Sequence, residues 1–328
     1  MLISTFFGPQ SRTRRRYALA TALTAVVYAG AAPAAADGAA PATQAADTGA
    51  RPTVVLVHGA FADASSWNGV AERLQSRGYT VVAPANPLRG LAGDAAGTAD
   101  VLKRITGPVV LVGHGYGGAV ISGAAAGNPQ VKALVYISAL MPDKGEALGP
   151  LSSRFPGGEL GTALRRTPVR NADGTRGTDL YVQDARFHDI VAADRPRVSA
   201  AVMASSQRPI SASVFEDRAT AAAWRTIPSW ALVATRDKVI APQLERFQAA
   251  RAHSHTIEVN SSHVAMVSRP AVVTALVLAA AGDTPAGHRP LASTGTRTLV
   301  LAGTGCAAGL AVFLGGGLVA SARRRHGF

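Results

Sequence analysis

The sequence predicts an α/β domain, a doubly wound and mostly parallel sheet with a cap insertion. Two observations predict it: short apolar, β-branched runs alternate with helix-length segments, and most of these runs are continuously apolar. Continuous runs are typical of parallel strands covered on both faces, and the alternation favours right-handed crossovers. The 328 residues are 48% hydrophobic and only 16% charged, which excludes global disorder and leaves ample chain for a core.

The repeating pattern occupies a domain that we place at residues 52–281. Its strands are predicted at 53–58, 79–83, 108–113, 131–138, 229–235 and 255–259. Its helices are predicted at 67–77, 92–105, 117–127, 242–252 and 269–281.

One long segment, about 141–224, interrupts this pattern between two strands. It is rich in Gly, Pro, Arg and Asp, with helix-like pieces at 182–193 and 196–206. An insertion that follows the carboxyl end of a strand lies where ligands bind in such sheets. We therefore interpret it as a cap over a site; the alternative is a surface excursion without function.

A glycine-rich turn follows the third predicted strand, in the run PVVLVGHGYGG over 108–118. With serine at its centre the turn would read G-x-S-x-G, the nucleophile elbow, in which a sharp strand-to-helix turn exposes the serine hydroxyl. The flanking glycines allow strand and helix to approach closely. Gly115 occupies the central position, so the expected nucleophile is absent.

The turns beside the first strand and the elbow supply candidate oxyanion-hole donors. A His-Gly turn ends the first strand, and the amide of Ala60 or Phe61 is the candidate donor there. The amide of Tyr116, directly after the elbow, is the second candidate. Three neighbouring side chains are candidate substrate-binding residues: His58, His114 and Trp67. For the two histidines, which flank glycines at strand ends, the alternatives are a structural role and a place in the pocket lining.

An acid and an imidazole follow the last two strands. Asp237 comes just past the strand at 229–235, and His263 just past the strand at 255–259. The order of elbow, acid and histidine is that of nucleophile, acid and base in hydrolases of this type. Asp143 is the alternative acid. The alternatives to a catalytic pair are a helix-capping aspartate and an ordinary loop histidine.

Residues 52–281 resemble the α/β-hydrolase superfamily, in particular its small esterase and hydroxynitrile-lyase-like group. The segments that carry the resemblance are VVLVHGAFADASSWNGV, GYTVVAPANPLRG, VVLVGHGYGGAVI, IPSWALVATRDKVI and SSHVAMVS. The resemblance implies an α/β-hydrolase fold, catalytic roles for Asp237 and His263, and Gly115 at the nucleophile position.

The glycine at the elbow leaves three hypotheses open. His263 and Asp237 could act as a general-base dyad, giving weak hydrolysis of small apolar esters, a lyase or a cofactor-free reaction. The domain could instead be a pseudoenzyme that binds a small apolar ligand. Gly115 could also be a recent change in an ordinary serine esterase.

We expect neither a metal nor another cofactor. No H-E-x-x-H pattern occurs. A G-x-G-x-x-G pattern at 113–118 is not on the first strand, and the next strand ends without the acid that binds a ribose.

The N-terminal residues are typical of a secretory signal peptide, which we place at 1–36. Basic residues at 12–16 precede an apolar run that ends in Ala34-Ala35-Ala36. The segment TRRRYAL also resembles a twin-arginine signal, and the choice of export route stays open. Residues 37–51 are predicted to be a flexible leader.

The C-terminal residues resemble a sortase cell-wall sorting signal of the L-A-x-T-G form. Leu291, Thr294 and Gly295 belong to the pentapeptide LASTG within the linker 282–297, a chargeless stretch follows at 298–321, and a basic tail occupies 322–328. The stretch is long enough to span a bilayer. The resemblance implies sortase and peptidoglycan as partners, after transient membrane tethering; the alternative is a permanent transmembrane helix.

The net charge of +13 is concentrated in these two ends. Residues 1–36 and 295–328 together carry eight arginines and no acid, which leaves +5 for residues 37–294. Because the arginines of the cap are mixed with acids, we expect no nucleic-acid partner. The sequence therefore predicts a secreted, wall-anchored protein of a Gram-positive surface that binds a small apolar ligand or ester.

Overall fold

The computed structural model describes residues 51–283, and within them a six-stranded sheet in the order β2-β1-β3-β4-β8-β9. All five strand pairings in this sheet are parallel, so the predicted doubly wound architecture is confirmed. Its strands are β1 (Thr53–Val57), β2 (Val81–Val82), β3 (Val109–Gly115), β4 (Val131–Ala139), β8 (Ser229–Ala234) and β9 (His255–Val259).

The three central strands form the core, because their apolar runs are covered on both faces. Every residue of β3 is buried, as are eight of the nine in β4 and four of the five in β1. The predicted second strand is wrong in length, since only Val81 and Val82 pair with β1 before a proline at position 84. By contrast, β3 continues two residues beyond its prediction, to Gly115.

Helices flank the sheet at the positions that the sequence predicts, within a few residues. In the structure α1 packs on α10 and α2 packs on α3. Both α8 and α10 begin with proline, whose fixed φ suits the first helical turn. These helices are α1 (Asn68–Gln75), α2 (Leu91–Leu102), α3 (Tyr116–Ala124), α8 (Pro242–Arg251), α9 (Ala265–Ser268) and α10 (Pro270–Ala280).

The chain between β4 and β8 forms a separate layer, called the cap below. The cap contains α4 (Leu148–Ser152), α5 (Leu160–Ala163), α6 (Asp184–Val191) and α7 (Arg197–Ser205), and an antiparallel sheet in the order β5-β6-β7. The strands of that sheet are β5 (Leu164–Arg170), β6 (Arg176–Val182) and β7 (Ile210–Ser211).

The sequence prediction missed the hairpin of β5 and β6. Its first strand, LRRTPVR, contains three arginines and a proline, which are poor indicators of a strand. The turn itself is well formed: Asp173 accepts hydrogen bonds from the amide (2.9 Å) and hydroxyl (2.6 Å) of Thr175, and Gly174 has a φ of +85°.

The signal peptide, most of the leader, the sorting motif and the chargeless stretch at 298–321 lie outside the described residues. Within residues 51–283, none of the helices combines the length and apolarity needed to span a membrane.

Candidate active site

The strand-to-helix turn between β3 and α3 has the sharp geometry that the glycine pattern predicts. β3 ends at Gly115, whose φ is +55°, and α3 begins at the next residue, Tyr116. The pairing of β3 with β4 shifts register at this point, where Gly115 pairs with Ala139. The turn therefore presents residue 115 at the carboxyl edge of the sheet.

Three of the four glycines in this turn are required by close backbone contacts. A Cβ on Gly113 would lie 2.6 Å from the backbone oxygen of Gly117, and one on Gly117 would lie 2.6 Å from that of Val57. A Cβ on Gly118 would overlap the backbone oxygen of Leu140. No side chain fits at these positions because backbone atoms cannot move aside.

Gly115 differs from these three glycines, because a Cβ there would meet no backbone clash. It would lie 3.2 Å from Nε2 and 3.4 Å from Cε1 of His263, and 3.8 Å from the Cα of Gly59. A side chain at position 115 would therefore extend directly beside the imidazole of His263.

His263 and Asp237 form a buried hydrogen-bonded pair. The Nδ1–H of His263 donates to Oδ2 of Asp237 over 2.6 Å, and their side chains are 6% and 0% exposed. The other oxygen, Oδ1, accepts the amides of Val239 (2.7 Å) and Ile240 (3.0 Å). The carboxylate is thus fixed by the turn after β8, and Nε2 of His263 is left as the proton acceptor.

The alternative acid, Asp143, lies elsewhere. Its carboxylate is paired with Arg225.

His114 supports His263 from the core side. Its Nε2–H donates to the backbone oxygen of His263 over 3.1 Å, and the two ring centroids are 4.4 Å apart. Burial, with a smaller contribution from the neighbouring imidazole, lowers the pKa of His114 well below its usual value. His114 is therefore neutral, and its hydrogen bond holds the backbone of His263 in place.

The cap also holds the loop that carries His263. Asp194, between α6 and α7, accepts the amide of Ser262 over 3.1 Å and its hydroxyl over 2.5 Å. Sequence reasoning missed this contact, because nothing in the spacing of two residues so far apart indicates that they meet.

The structure distinguishes between the candidate oxyanion donors. The amide of Phe61 donates to the backbone oxygen of Arg208 over 3.1 Å, so it is already engaged. The amides of Ala60 and Tyr116 have no acceptor within residues 51–283. Both residues line the same cavity as Gly115 and His263, so these two amides are the available donors.

Tyr116 is anchored through its side chain as well. Its hydroxyl donates to Oδ2 of the buried Asp94 on α2 over 2.8 Å. Burial raises the pKa of Tyr116, and the nearby Asp94 carboxyl adds to the effect. The phenol thus stays protonated and fixes the residue whose amide faces the cavity.

A cavity of about 660 Å³ lies between the cap and the carboxyl edge of the sheet. Its inner end is formed by Ala60, Gly115, Tyr116 and His263, and its walls are mainly apolar side chains. Those from the cap include Leu148, Leu160, Leu164, Leu180, Ile210 and Phe215. Apolar walls that converge on a few polar groups are typical of ligand sites.

The three predicted substrate-binding side chains do not lie in this lining. Trp67 is fully buried and packs edge-on against His114, with ring centroids 6.4 Å apart. His58 is also fully buried; its Nε2 accepts the amide of Asn86 over 3.0 Å, and burial lowers its pKa. All three side chains therefore support the site from the core rather than contact a ligand in the cavity.

Comparisons with known proteins agree with this geometry. Residues 54–276 match the model of the alpha/beta hydrolase family. A carbendazim hydrolyzing esterase of Nocardioides sp. is 32% identical over 132 residues, covering 34% of this chain and 54% of that protein. A pyrethroid hydrolase of Sphingobium wenxiniae is 28% identical over 162 residues, covering 44% and 55%. The matched regions thus span about half the length of these two relatives.

A solved structure extends the likeness of fold to the whole described domain. Polyneuridine aldehyde esterase superposes with a TM-score of 0.61 at 18% identity, covering 70% of this chain and 99% of that one. The parallel sheet, the strand-to-helix turn and the match over residues 54–276 together show that this chain belongs to the alpha/beta hydrolase family.

Proposed function

We propose that the protein is an esterase-like hydrolase in which His263 and Asp237 act as a general-base dyad on water. One observation carries the proposal: Nε2 of His263 faces the cavity beside Gly115, with no serine side chain between them. A water molecule that accepts and donates hydrogen bonds at this position takes the place of the serine hydroxyl.

The proposed reaction uses only groups at the inner end of the cavity. Nε2 of His263 removes a proton from water as the water oxygen attacks the ester carbonyl. The carboxylate of Asp237 stabilises the resulting imidazolium, and the amides of Ala60 and Tyr116 donate to the oxyanion. When the tetrahedral intermediate collapses, the leaving alkoxide takes the proton back from the imidazolium, giving an acid and an alcohol.

Such a reaction is expected to be slow. In serine hydrolases, loss of the nucleophile lowers turnover by about 10⁶, whereas the oxyanion hole and substrate binding retain about 10³–10⁴ over the uncatalysed rate. The apolar cavity supports apolar esters as the substrate class. Two relatives of this chain, a carbendazim hydrolyzing esterase and a pyrethroid hydrolase, support hydrolysis as the class of reaction.

The same dyad supports a second function, removal of a proton from the substrate itself in a lyase or cofactor-free reaction. It is favoured by the same feature, an imidazole that faces the cavity without a nucleophile in front of it. A pseudoenzyme that only binds a ligand is the third outcome of the test.

The test compares wild type, His263→Ala and Gly115→Ser on p-nitrophenyl esters of short acids. Weak wild-type hydrolysis that His263→Ala abolishes supports the water mechanism. Equal rates for wild type and His263→Ala, with a ligand-induced thermal shift in both, indicate a binding protein. Wild-type turnover at ordinary esterase rates contradicts the proposal that Gly115 compromises the enzyme.

We also propose that the protein works outside the cell, attached to the wall. Only the sequence patterns at its two ends support this, a signal-peptide pattern before residue 37 and LASTG before the chargeless stretch. Thr294→Ala is expected to release the protein from wall fractions. Unchanged covalent attachment contradicts the proposal.

A further inference from the structure

A second buried carboxyl, that of Glu245 on α8, lies beneath the loop that presents Asp237. Glu245 is 4% exposed, and its Oε2 accepts the amide of Ala234 over 3.0 Å. Ala234 ends β8, and its own oxygen accepts the amide of Asp237 over 3.1 Å. The side chain of Glu245 is thus fixed to the backbone segment that carries the acid of the dyad.

Oε1 of Glu245 is buried and has no N–H or O–H donor within residues 51–283, and Asp237 is the nearby acid whose charge acts to raise the pKa of Glu245. Two neighbouring buried carboxylates repel each other strongly, so one of them holds a proton. Asp237 accepts three hydrogen bonds, from Val239, Ile240 and His263, which stabilise its charge. Glu245 accepts one, so the proton belongs on Glu245.

The electrostatic environment favours the same assignment. Burial raises the pKa of Glu245 well above its usual value, and the charge and hydrogen bond of Asp237 raise it further. The amide of Ala234 and the charge of Arg246 oppose this shift without outweighing it.

The charged groups around this pair are engaged elsewhere. Arg246, on the same helix as Glu245, pairs with Glu258 of β9 over 2.7 Å. Lys238, next to Asp237, pairs with Glu159 of the cap over 3.0 Å. No cation in the described part of the chain forms an ion pair with Glu245.

We propose that Glu245 is a protonated positioning residue whose Oε1–H donates to the carboxylate of Asp237 and holds that carboxylate against His263. Its effect on catalysis rests on the proposed function, whereas its protonation does not.

The first test measures the free energy of unfolding as a function of pH. Above the ordinary pKa of glutamate the unfolded chain releases a proton that the native state keeps on Glu245. Stability therefore falls with rising pH until the native group also ionises. Glu245→Gln, whose amide replaces the hydroxyl donor, is expected to lose this slope between about pH 5 and pH 9. Parallel profiles for wild type and the variant overturn the proposal.

Glu258→Gln is the matched control. The hydrogen bond from Arg246 lowers the pKa of Glu258 in the native state. The contribution of Glu258 to stability is therefore lost only at acidic pH, as the pH falls through this native pKa. Above about pH 5 this variant keeps the wild-type slope.

The second test detects the protonated carboxyl group of Glu245 by infrared spectroscopy and needs no substrate. The infrared difference between wild type and Glu245→Gln at neutral pH is expected to contain the C=O stretch of a protonated carboxyl. Carboxylate bands alone in that difference overturn the proposal.

The positioning role is read from kinetics in the Gly115→Ser background. Glu245→Ala is expected to lower kcat with little change in KM, and Glu245→Gln to restore it. If hydrolysis is absent in every variant, the proposed function fails, whereas the infrared result still decides the protonation of Glu245.

Discussion

The Nε2 atom of His263 lies 3.2 Å from the point at which a Cβ would stand on Gly115. The opposite nitrogen of the same ring is held by Asp237 at 2.6 Å. His263 and Asp237 therefore have the arrangement of a base and its orienting acid in a serine hydrolase, whereas residue 115 has no side chain. Substitutions at these positions test each part of the arrangement separately.

Gly115→Ser is expected to raise ester hydrolysis by about 10²-fold or more, because it supplies a nucleophile beside an oriented base. The rate of p-nitrophenol release measures the gain. No gain in a folded variant indicates that the oxyanion donors or the cavity do not accept the ester.

Gly115→Ala is the control for backbone strain. Gly115 has φ +55° and ψ −121°, a sparsely populated region that costs an L-residue about 1–3 kcal/mol, so both variants are expected to lose stability by that amount in urea unfolding. Only the serine variant is expected to gain activity. An equal gain for alanine shows that the hydroxyl is not the acting group.

Asp237→Asn in the Gly115→Ser background is expected to lower kcat by about 10⁴, because the amide favours the wrong tautomer of His263. The variant keeps the shape of the buried pair, so KM is expected to change little. Asp143→Asn is the matched control, since Asp143 pairs with Arg225 and not with His263. A comparable loss in that control removes the assignment of Asp237 as the acid.

Removing the contact between Asp194 and Ser262 is expected to loosen the loop that carries His263. A double-mutant cycle of Asp194→Ala and Ser262→Ala in urea unfolding is expected to give a coupling of about 1–2 kcal/mol, the range of hydrogen bonds to a partly exposed charged group. Additive effects of the two substitutions would show that the contact contributes nothing to stability.

The same contact predicts a pH dependence. Burial is the largest single influence and acts to raise the pKa of Asp194, but its hydrogen bonds together, chiefly those from Ser262, outweigh burial and lower the pKa overall. As the pH falls, the carboxylate of Asp194 therefore binds its proton at a lower pH in the native state than in the unfolded chain. The charged carboxylate stabilises the fold fully above the unfolded pKa, and this contribution is lost as the pH falls through the native pKa. Asp194→Asn is expected to flatten the acid limb of the stability profile; an unchanged limb contradicts this.

Narrowing the cavity is expected to shift the chain-length preference for acyl esters. Gly161 is exposed and lines the cavity, and a Cβ there meets no atom within 4 Å, so we expect the side chain of Gly161→Phe to narrow the cavity without disturbing the core. We expect kcat/KM to fall more for long acyl chains than for acetate. Gly93→Phe on α2, equally free of contacts but outside the lining, is the matched control. A fall in kcat/KM that is the same for all chain lengths and in both variants contradicts the proposal that this cavity binds the ester.

The sequence predicted the sheet and the proximity of Asp237 to His263 because both depend on local signals. Apolar runs define strands, and polar residues just past the carboxyl ends of parallel strands meet at one edge of the sheet. This is why Asp237 and His263, in separate loops, are brought together as expected. The glycine spacing likewise predicted the turn at Gly115.

The contacts that sequence reasoning missed depend on distant or isolated residues. Glu245 looks like an ordinary helical glutamate, and only the packing of α8 under the turn after β8 buries it. The amide of Phe61 is engaged by the backbone of Arg208, which no side-chain pattern reveals. The β5–β6 hairpin has a polar, arginine-rich strand because it lies in the cap rather than the core.

The most direct test of the central claim is intact-mass spectrometry during turnover of a p-nitrophenyl ester. If His263 activates water, wild type hydrolyses the ester without gaining an acyl group, and His263→Ala stops the reaction. Gly115→Ser is expected to carry one acyl group on the new serine. An acyl adduct on the wild-type protein, or hydrolysis that survives His263→Ala, would contradict the account.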